Sequence, residues 1–252
     1  MLNLRSSRHQ PWLTLATVLA FLISLRVAGA MAEPRYVRLE LLLAVDCSFS
    51  VSDDEFDLQM QGIALAFEHP LILAAIEESG SQGIAVSLMQ WAGVNDQAVA
   101  LDWTHIRGIG DALAFAKNVR AAGRLIDGGS TSLGTMMNKA VGSIESNGIE
   151  SDRRVIDVSG DGRANEGSSP AHARAYANRV GITVNGLAIL NEEPDLDSYY
   201  LAWVVGGPGS FLLTADDYDD FIEAIRHKLH SEIVGAPIAD VPDGSKRYGA
   251  LR

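Results

Sequence analysis

The chain has 252 residues, 47% of them hydrophobic and 21% charged. That is globular composition: it excludes disordered, collagen-like and coiled-coil classes, and the length suits one medium domain that needs no staples. The formal charge of −12 argues against nucleic acid or an anionic membrane surface as the main partner, and a single cysteine, Cys47, excludes an intramolecular disulfide and a cysteine-based zinc site.

At the N-terminus, residues 1–11 carry Arg5, Arg8 and His9 and no acid. Trp12 to Leu25 is then an uncharged apolar run of 14 residues, followed by Arg26 and VAGAMAEP. With Ala28 and Ala30 at −3/−1 spacing, this predicts a secretory signal peptide over residues 1–30, cleavage after residue 32 being the alternative. An uncleaved anchor is the competing reading, but a membrane span needs roughly 20 apolar residues. A periplasmic or secreted protein is therefore expected, with no membrane span after signal removal. Loss of Arg5, Arg8 and Arg26 leaves 17 basic against 32 acidic residues, a charge of −15.

Strands and helices then alternate. Val37–Val45 ends in a continuous apolar run, the pattern of a central strand covered on both faces. Ser52 and Glu55 form a capping box for a helix marked by Phe56, Met60, Ile63 and Phe67. Strands are predicted at Ile84–Trp91 and, antiparallel through a short hairpin, at Gln97–Trp103. A helix follows from Ile109 to about Ala122, then the turn Gly128–Gly134 and a helix marked by Leu133, Met137, Ala140 and Ile144. Arg154–Ser159 is a fourth strand, Ala171–Val180 a helix, Ile182–Leu190 a fifth strand, Asp195–Val204 a short helix and Ser210–Thr214 the last strand. Tyr218, Phe221, Ile222, Ile225 and Leu229 mark a final amphipathic helix. The alternation predicts an α/β fold: a doubly wound, mostly parallel six-stranded sheet with one antiparallel edge strand and helices on both faces. One domain is expected over residues 34–233, with a flexible C-terminal tail over 234–252.

In such folds ligands bind beyond the carboxyl ends of the strands. The first strand runs directly into Asp46, Ser48 and Ser50, which alternate and so can turn toward one point. The glycine-flanked turn supplies Thr131, with Ser130 as the neighbouring candidate, and the fourth strand delivers Asp161 between two glycines. These five oxygen groups suit a hard divalent cation, Mg²⁺ first, with Mn²⁺ or Ca²⁺ as alternatives. A calcium cage would use more acids. With Asp161 acting through water, the ion would keep an open position for an incoming carboxylate.

Asp46-x-Ser48-x-Ser50, then Gly-Gly-Ser-Thr131-Ser-Leu-Gly, then Asp161-Gly162 after an apolar strand, resembles the metal-ion-dependent adhesion site (MIDAS) of von Willebrand factor A (vWA) domains. The signal peptide and the VIDVSGDG strand also resemble an uncharacterised family of exported bacterial vWA proteins. The resemblance covers nearly the whole mature chain. It implies a Rossmann-like fold, metal ligation by Asp46, Ser48, Ser50, Thr131 and Asp161, and non-catalytic capture of a protein ligand; that ligand is expected to present Asp or Glu, and the chain to be a monomer. Two positions depart from the common pattern: Ser130 intervenes before Thr131, and Ser159-Gly160 precedes Asp161.

The alternative function is a secreted metal-dependent hydrolase, phosphatase-like, with Asp46 as nucleophile. It lacks a second carboxylate at position 48, and no Gly-x-Ser-x-Gly elbow or phosphate loop is present. Other polar groups receive plain readings. Asp53, Asp54, Glu55 and Asp57 are read as acids of the helix start favoured by the helix dipole, an extra metal site being the alternative. Asp157 pairs with a backbone or basic group, His227 and His230 sit on the surface, and Cys47 is a small buried side chain.

Overall fold

A computed structural model of the protein describes residues 35–235 and 247–248. The signal peptide expected over 1–30 lies outside the described residues, as does most of the tail expected over 234–252. The sheet order is β3-β2-β1-β4-β5-β6-β7. Its strands are β1 (Arg35–Asp46), β2 (Ile84–Trp91), β3 (Gln97–Ile106), β4 (Ile149–Gly160), β5 (Ile182–Ile189), β6 (Leu212–Ala215) and β7 (Arg247–Tyr248). The pairs β1·β2, β1·β4, β4·β5 and β5·β6 are parallel, and β2·β3 is antiparallel. The expected six-stranded sheet is thus present. Within the expected tail, Arg247 and Tyr248 add a two-residue antiparallel strand against Leu213 and Leu212.

The helices are α1 (Asp53–Glu68), α2 (Pro70–Glu78), α3 (Ile109–Ala121), α4 (Leu133–Ser146), α5 (Pro170–Arg179), α6 (Leu196–Trp203) and α7 (Tyr218–Val234). Helix α2 is absent from the sequence reading. It starts at Pro70 in the first turn, with the His69 ring accepting from Leu71 N–H, a cap that the periodicity of apolar residues does not signal. β3 and β4 are longer than expected; their added residues at 104–106 and 149–153 are mostly polar and half-exposed.

β1 shows why the central run is apolar throughout. Leu39, Leu41, Leu43 and Val45 pack into one buried cluster with side chains of α1, α2, α3 and α7. Leu42 and Ala44, pointing the other way, pack into a second cluster with α4, α5 and α6. Each fully buried leucine contributes about 1.5–3 kcal/mol, so the strand is fixed from both faces. Asp157, on the same central layer in β4, is buried and ion-paired with Lys228 of α7 at 2.5 Å. Lys228 also holds Glu232 at 2.9 Å, and Asn185 donates to the same Glu232 oxygen at 2.9 Å. The basic partner expected for Asp157 is therefore supplied by the last helix.

Candidate metal centre

All the parallel strands end at one edge, and the chemistry gathers there. Beyond Asp46 the Cys47 N–H makes one more bond to Trp91 O (2.8 Å), and Val51 N–H then closes a turn on Ser48 O (3.1 Å), which ends β1. The capping box then starts α1: Glu55 N–H donates to Ser52 Oγ (3.3 Å) and Ser52 N–H to Glu55 Oε2 (2.8 Å). Segment 46–52 is thus held at both ends. Ser48 N–H donates to Asp46 Oδ1 (2.8 Å), the Ser48 and Ser50 hydroxyls are 3.1 Å apart, and Ser50 donates to Asp161 Oδ1 (2.7 Å).

The glycine turn joins from the side. Phe49 N–H donates to Gly129 O (2.9 Å). Thr131 N–H donates to Asn165 Oδ1 (2.9 Å) and its carbonyl accepts from Asn165 N–H (3.0 Å). The buried Thr131 hydroxyl lies 3.8 Å from the point where a Cβ on Gly162 would stand, next to Asp161. Ser130 is half-exposed. The structure therefore brings Asp46, Ser48, Ser50 and Asp161 into one hydrogen-bonded row, with Thr131 at its flank.

Four participants were not legible in the sequence. Tyr218, read as a core residue of the last helix, donates its hydroxyl to Asp161 Oδ2 (3.1 Å). Asn165 fixes the Thr131 backbone. Tyr200 and Trp91 come up beneath Asp46: a Cβ on residue 160 would stand 2.7 Å from Asp46 Oδ2, 2.7 Å from Tyr200 Oη and 3.3 Å from Trp91 Cζ2. Only glycine permits that approach, which accounts for Ser159-Gly160 ahead of Asp161. No local pattern announces any of these contacts, since each is made across more than 30 residues of sequence.

The two acids of the row are buried together. Asp46 and Asp161 are both fully buried. Burial, then the neighbouring Asp161 charge, pushes the Asp46 carboxyl up to about 7, against the hydrogen bonds from Ser48. Asp161 is also raised, first by burial, against bonds from Ser50 and Tyr218. No basic side chain bonds to either carboxylate, and Asp46 Oδ2 has no hydrogen-bond partner among the described residues. Two buried acids without a counter-charge are costly, and oxygen donors of this kind fit Mg²⁺-type ions. Among the described residues no cluster of three or more His, Cys, Asp or Glu gathers that could hold a metal; the donors here are two carboxylates and hydroxyls.

The remaining candidates fall outside the row. Cys47 is buried, its thiol pushed up to about 12 by burial and by Asp46. His227 sits beside Glu223, with Nε2 2.7 Å from Oε1. Asp53 pairs with Arg124 at 2.8 Å.

The family described as "Protein of unknown function (DUF1194)" matches residues 36–237. The chain belongs to that family. No curated protein matches it. Among solved structures, proximal thread matrix protein 1 from the mussel byssus, with a zinc-occupied MIDAS motif, is similar at TM-score 0.56 and 16% identity, over 81% of this chain and 50% of that one. The pilus adhesin SpaC of Lactobacillus rhamnosus GG is similar at TM-score 0.56 and 13% identity, over 79% of this chain and 30% of that one. The vWF domain of the type V pili tip protein Mfa5 of Porphyromonas gingivalis is similar at TM-score 0.55 and 9% identity, over 82% of this chain and 99% of that one. This DUF1194 chain thus has the vWA fold, and it spans half the length of the mussel protein and less than a third of the adhesin.

Proposed function

We propose that this DUF1194 protein is an exported vWA binding module. Asp46, Ser48, Ser50, Thr131 and Asp161 hold a divalent cation, Mg²⁺ first, and the site captures an Asp or Glu side chain of a protein partner. The observation that carries the reading is the pair of fully buried, unneutralised carboxylates, one with an unpartnered oxygen, in line with two serine hydroxyls. The zinc-occupied MIDAS motif of the mussel protein and the adhesin and pilus settings of the other two similar structures support it. When bound, the ion supplies an electrophilic centre for a carboxylate oxygen. The chain's own residues set that centre's reach: Ser48 and Tyr218 orient the two carboxylates, and the pinned 46–52 segment keeps the hydroxyls aligned.

The binding role is preferred to hydrolysis because the position two residues after Asp46, where a second carboxylate would serve as acid and base, is Ser48, whose N–H donates to Asp46 Oδ1 (2.8 Å). Two measurements test the proposal: Mg²⁺ titration calorimetry, and recovery of partners from an envelope extract in Mg²⁺ or EDTA. Mg²⁺ binding lost in Asp46→Ala, with partner recovery lost in EDTA and in that variant, is expected. Equal recovery under all three conditions, or Mg²⁺-dependent phosphatase turnover abolished by Asp46→Ala, overturns it.

A further inference from the structure

The site sits within an acidic edge. Each parallel strand is followed there by at least one exposed acid: Asp53 after β1, Asp96 after β2, Glu166 after β4, Glu192 after β5 and Asp216 after β6. Among the described residues, the connections on this edge carry two basic side chains, and both are engaged. Arg124 is bound to Asp53 and to the Cys47 and Val51 carbonyls; Arg163 is bound to Glu193 and, at 2.7 Å, to Asp195. A carboxylate approaching from solvent therefore meets negative charge before it meets the ion.

One apolar group stands out in this setting. Phe49, between Ser48 and Ser50, is 81% exposed. Scattered exposed apolar residues are ordinary, but this one is both central and held. Its N–H bonds to Gly129 O, and its ring lies on the bare backbone of Gly128, where a Cβ would stand 2.6 Å from Cδ1. Gly128 has φ +116°, which also favours glycine. A pre-positioned aromatic loses little freedom on binding and serves as an anchor.

We propose, resting on the metal-capture reading above, that this edge docks a basic protein segment. The segment carries one Asp or Glu for the cation, Lys or Arg around it for the acidic rim, and a large apolar side chain for Phe49. Charge complementarity selects it over the other occupants: an acidic segment is repelled by the rim, and a second copy of this chain brings the same negative edge. The sign of the salt effect follows. Binding of a basic segment weakens as salt screens the rim, whereas binding of an acidic one would strengthen.

A displayed library of short random peptides, selected on the purified protein in Mg²⁺ and in parallel in EDTA, tests this. Mg²⁺-dependent peptides are expected to pair one Asp or Glu with an excess of Lys and Arg and an aromatic or aliphatic residue. Their affinity should fall with added NaCl, and by about tenfold in Phe49→Ser, while Phe49→Leu retains most of it. Glu192→Lys with Asp216→Lys should weaken them and flatten the salt dependence. Mg²⁺-dependent acidic peptides with no basic excess, or indifferent to Phe49→Ser, leave metal capture standing and overturn this proposal. Recovery that is equal in EDTA, or no Mg²⁺-dependent peptide at all, overturns both.

Discussion

Burial gives individual ionisable groups properties that their exposed counterparts lack, and Glu232 is a case away from the metal row. It is enclosed by Lys228 on its own helix, Asp157 on β4 and Asn185 on β5, and its carbonyl accepts from Arg153. Burial and the Asp157 charge raise its carboxyl to about 8 from an ordinary 4.5, outweighing Lys228. Below about 4.5 the group is protonated in both folded and unfolded chains. As pH rises, the unfolded chain loses the proton first, so the stability contributed by this group declines and is gone once pH passes about 8. Glu232→Gln, which keeps an acceptor for Lys228 and Asn185, should therefore show a flatter decline of Tm with pH across that window than wild type. Thermal melts in a pH series check this; parallel profiles would remove Glu232 as the source.

At the scale of elements, α4 contains two glycines with opposite consequences. A Cβ on Gly134 would stand 2.0 Å from Ser168 O and 2.6 Å from Ser168 C, backbone that cannot yield cheaply. A Cβ on Gly142 meets nothing within 4 Å. Gly142→Ala should stabilise the protein by roughly 0.5–1 kcal/mol, the usual gain at a helical glycine. Gly134→Ala should destabilise it by about 1–3 kcal/mol or more, as overpacking does, and disturb the Thr131–Asn165 bonds beside it. Urea denaturation of both variants decides the matter, and a Gly134→Ala protein as stable as wild type would contradict the close approach. Only the later helix was visible in the sequence, through Leu133, Met137, Ala140 and Ile144. The tight seat of its first turn against Ser168 comes from a loop more than 30 residues away. Helix α2 was missed for a related reason: its start depends on the His69–Pro70 cap, and its short apolar face has little periodicity to read.

For the whole molecule the dominant long-range fact is charge. The chain carries −12 overall, and exposed acids concentrate on the edge that holds the candidate row. Screening weakens repulsion between exposed like charges. The metal-free protein should therefore melt higher as NaCl is raised. Mg²⁺ at equal ionic strength should add a further increase, because a ligand of the folded state stabilises by mass action. The second increment should vanish in Asp46→Ala while the first remains. A Mg²⁺ increment that survives in Asp46→Ala would move the ion elsewhere on the edge.

Local information determined the element alternation and the two-sided burial of β1, and it supplied the oxygen groups of the candidate row. Apolar runs, caps and strand-end oxygen groups are written in adjacent or periodic positions, and the parallel topology then sends every strand's carboxyl end to one edge. The tertiary structure alone decided what surrounds those residues. Tyr218 on Asp161, Tyr200 and Trp91 beneath Asp46 in the space left by Gly160, and Lys228 under Asp157 are partners from distant segments. The same packing strips both site carboxylates of water without giving them a counter-charge and leaves Phe49 in the open between two serines. Burial and proximity are properties of the packed chain, so composition and spacing named candidate donors while only the fold could say which were desolvated, held or exposed.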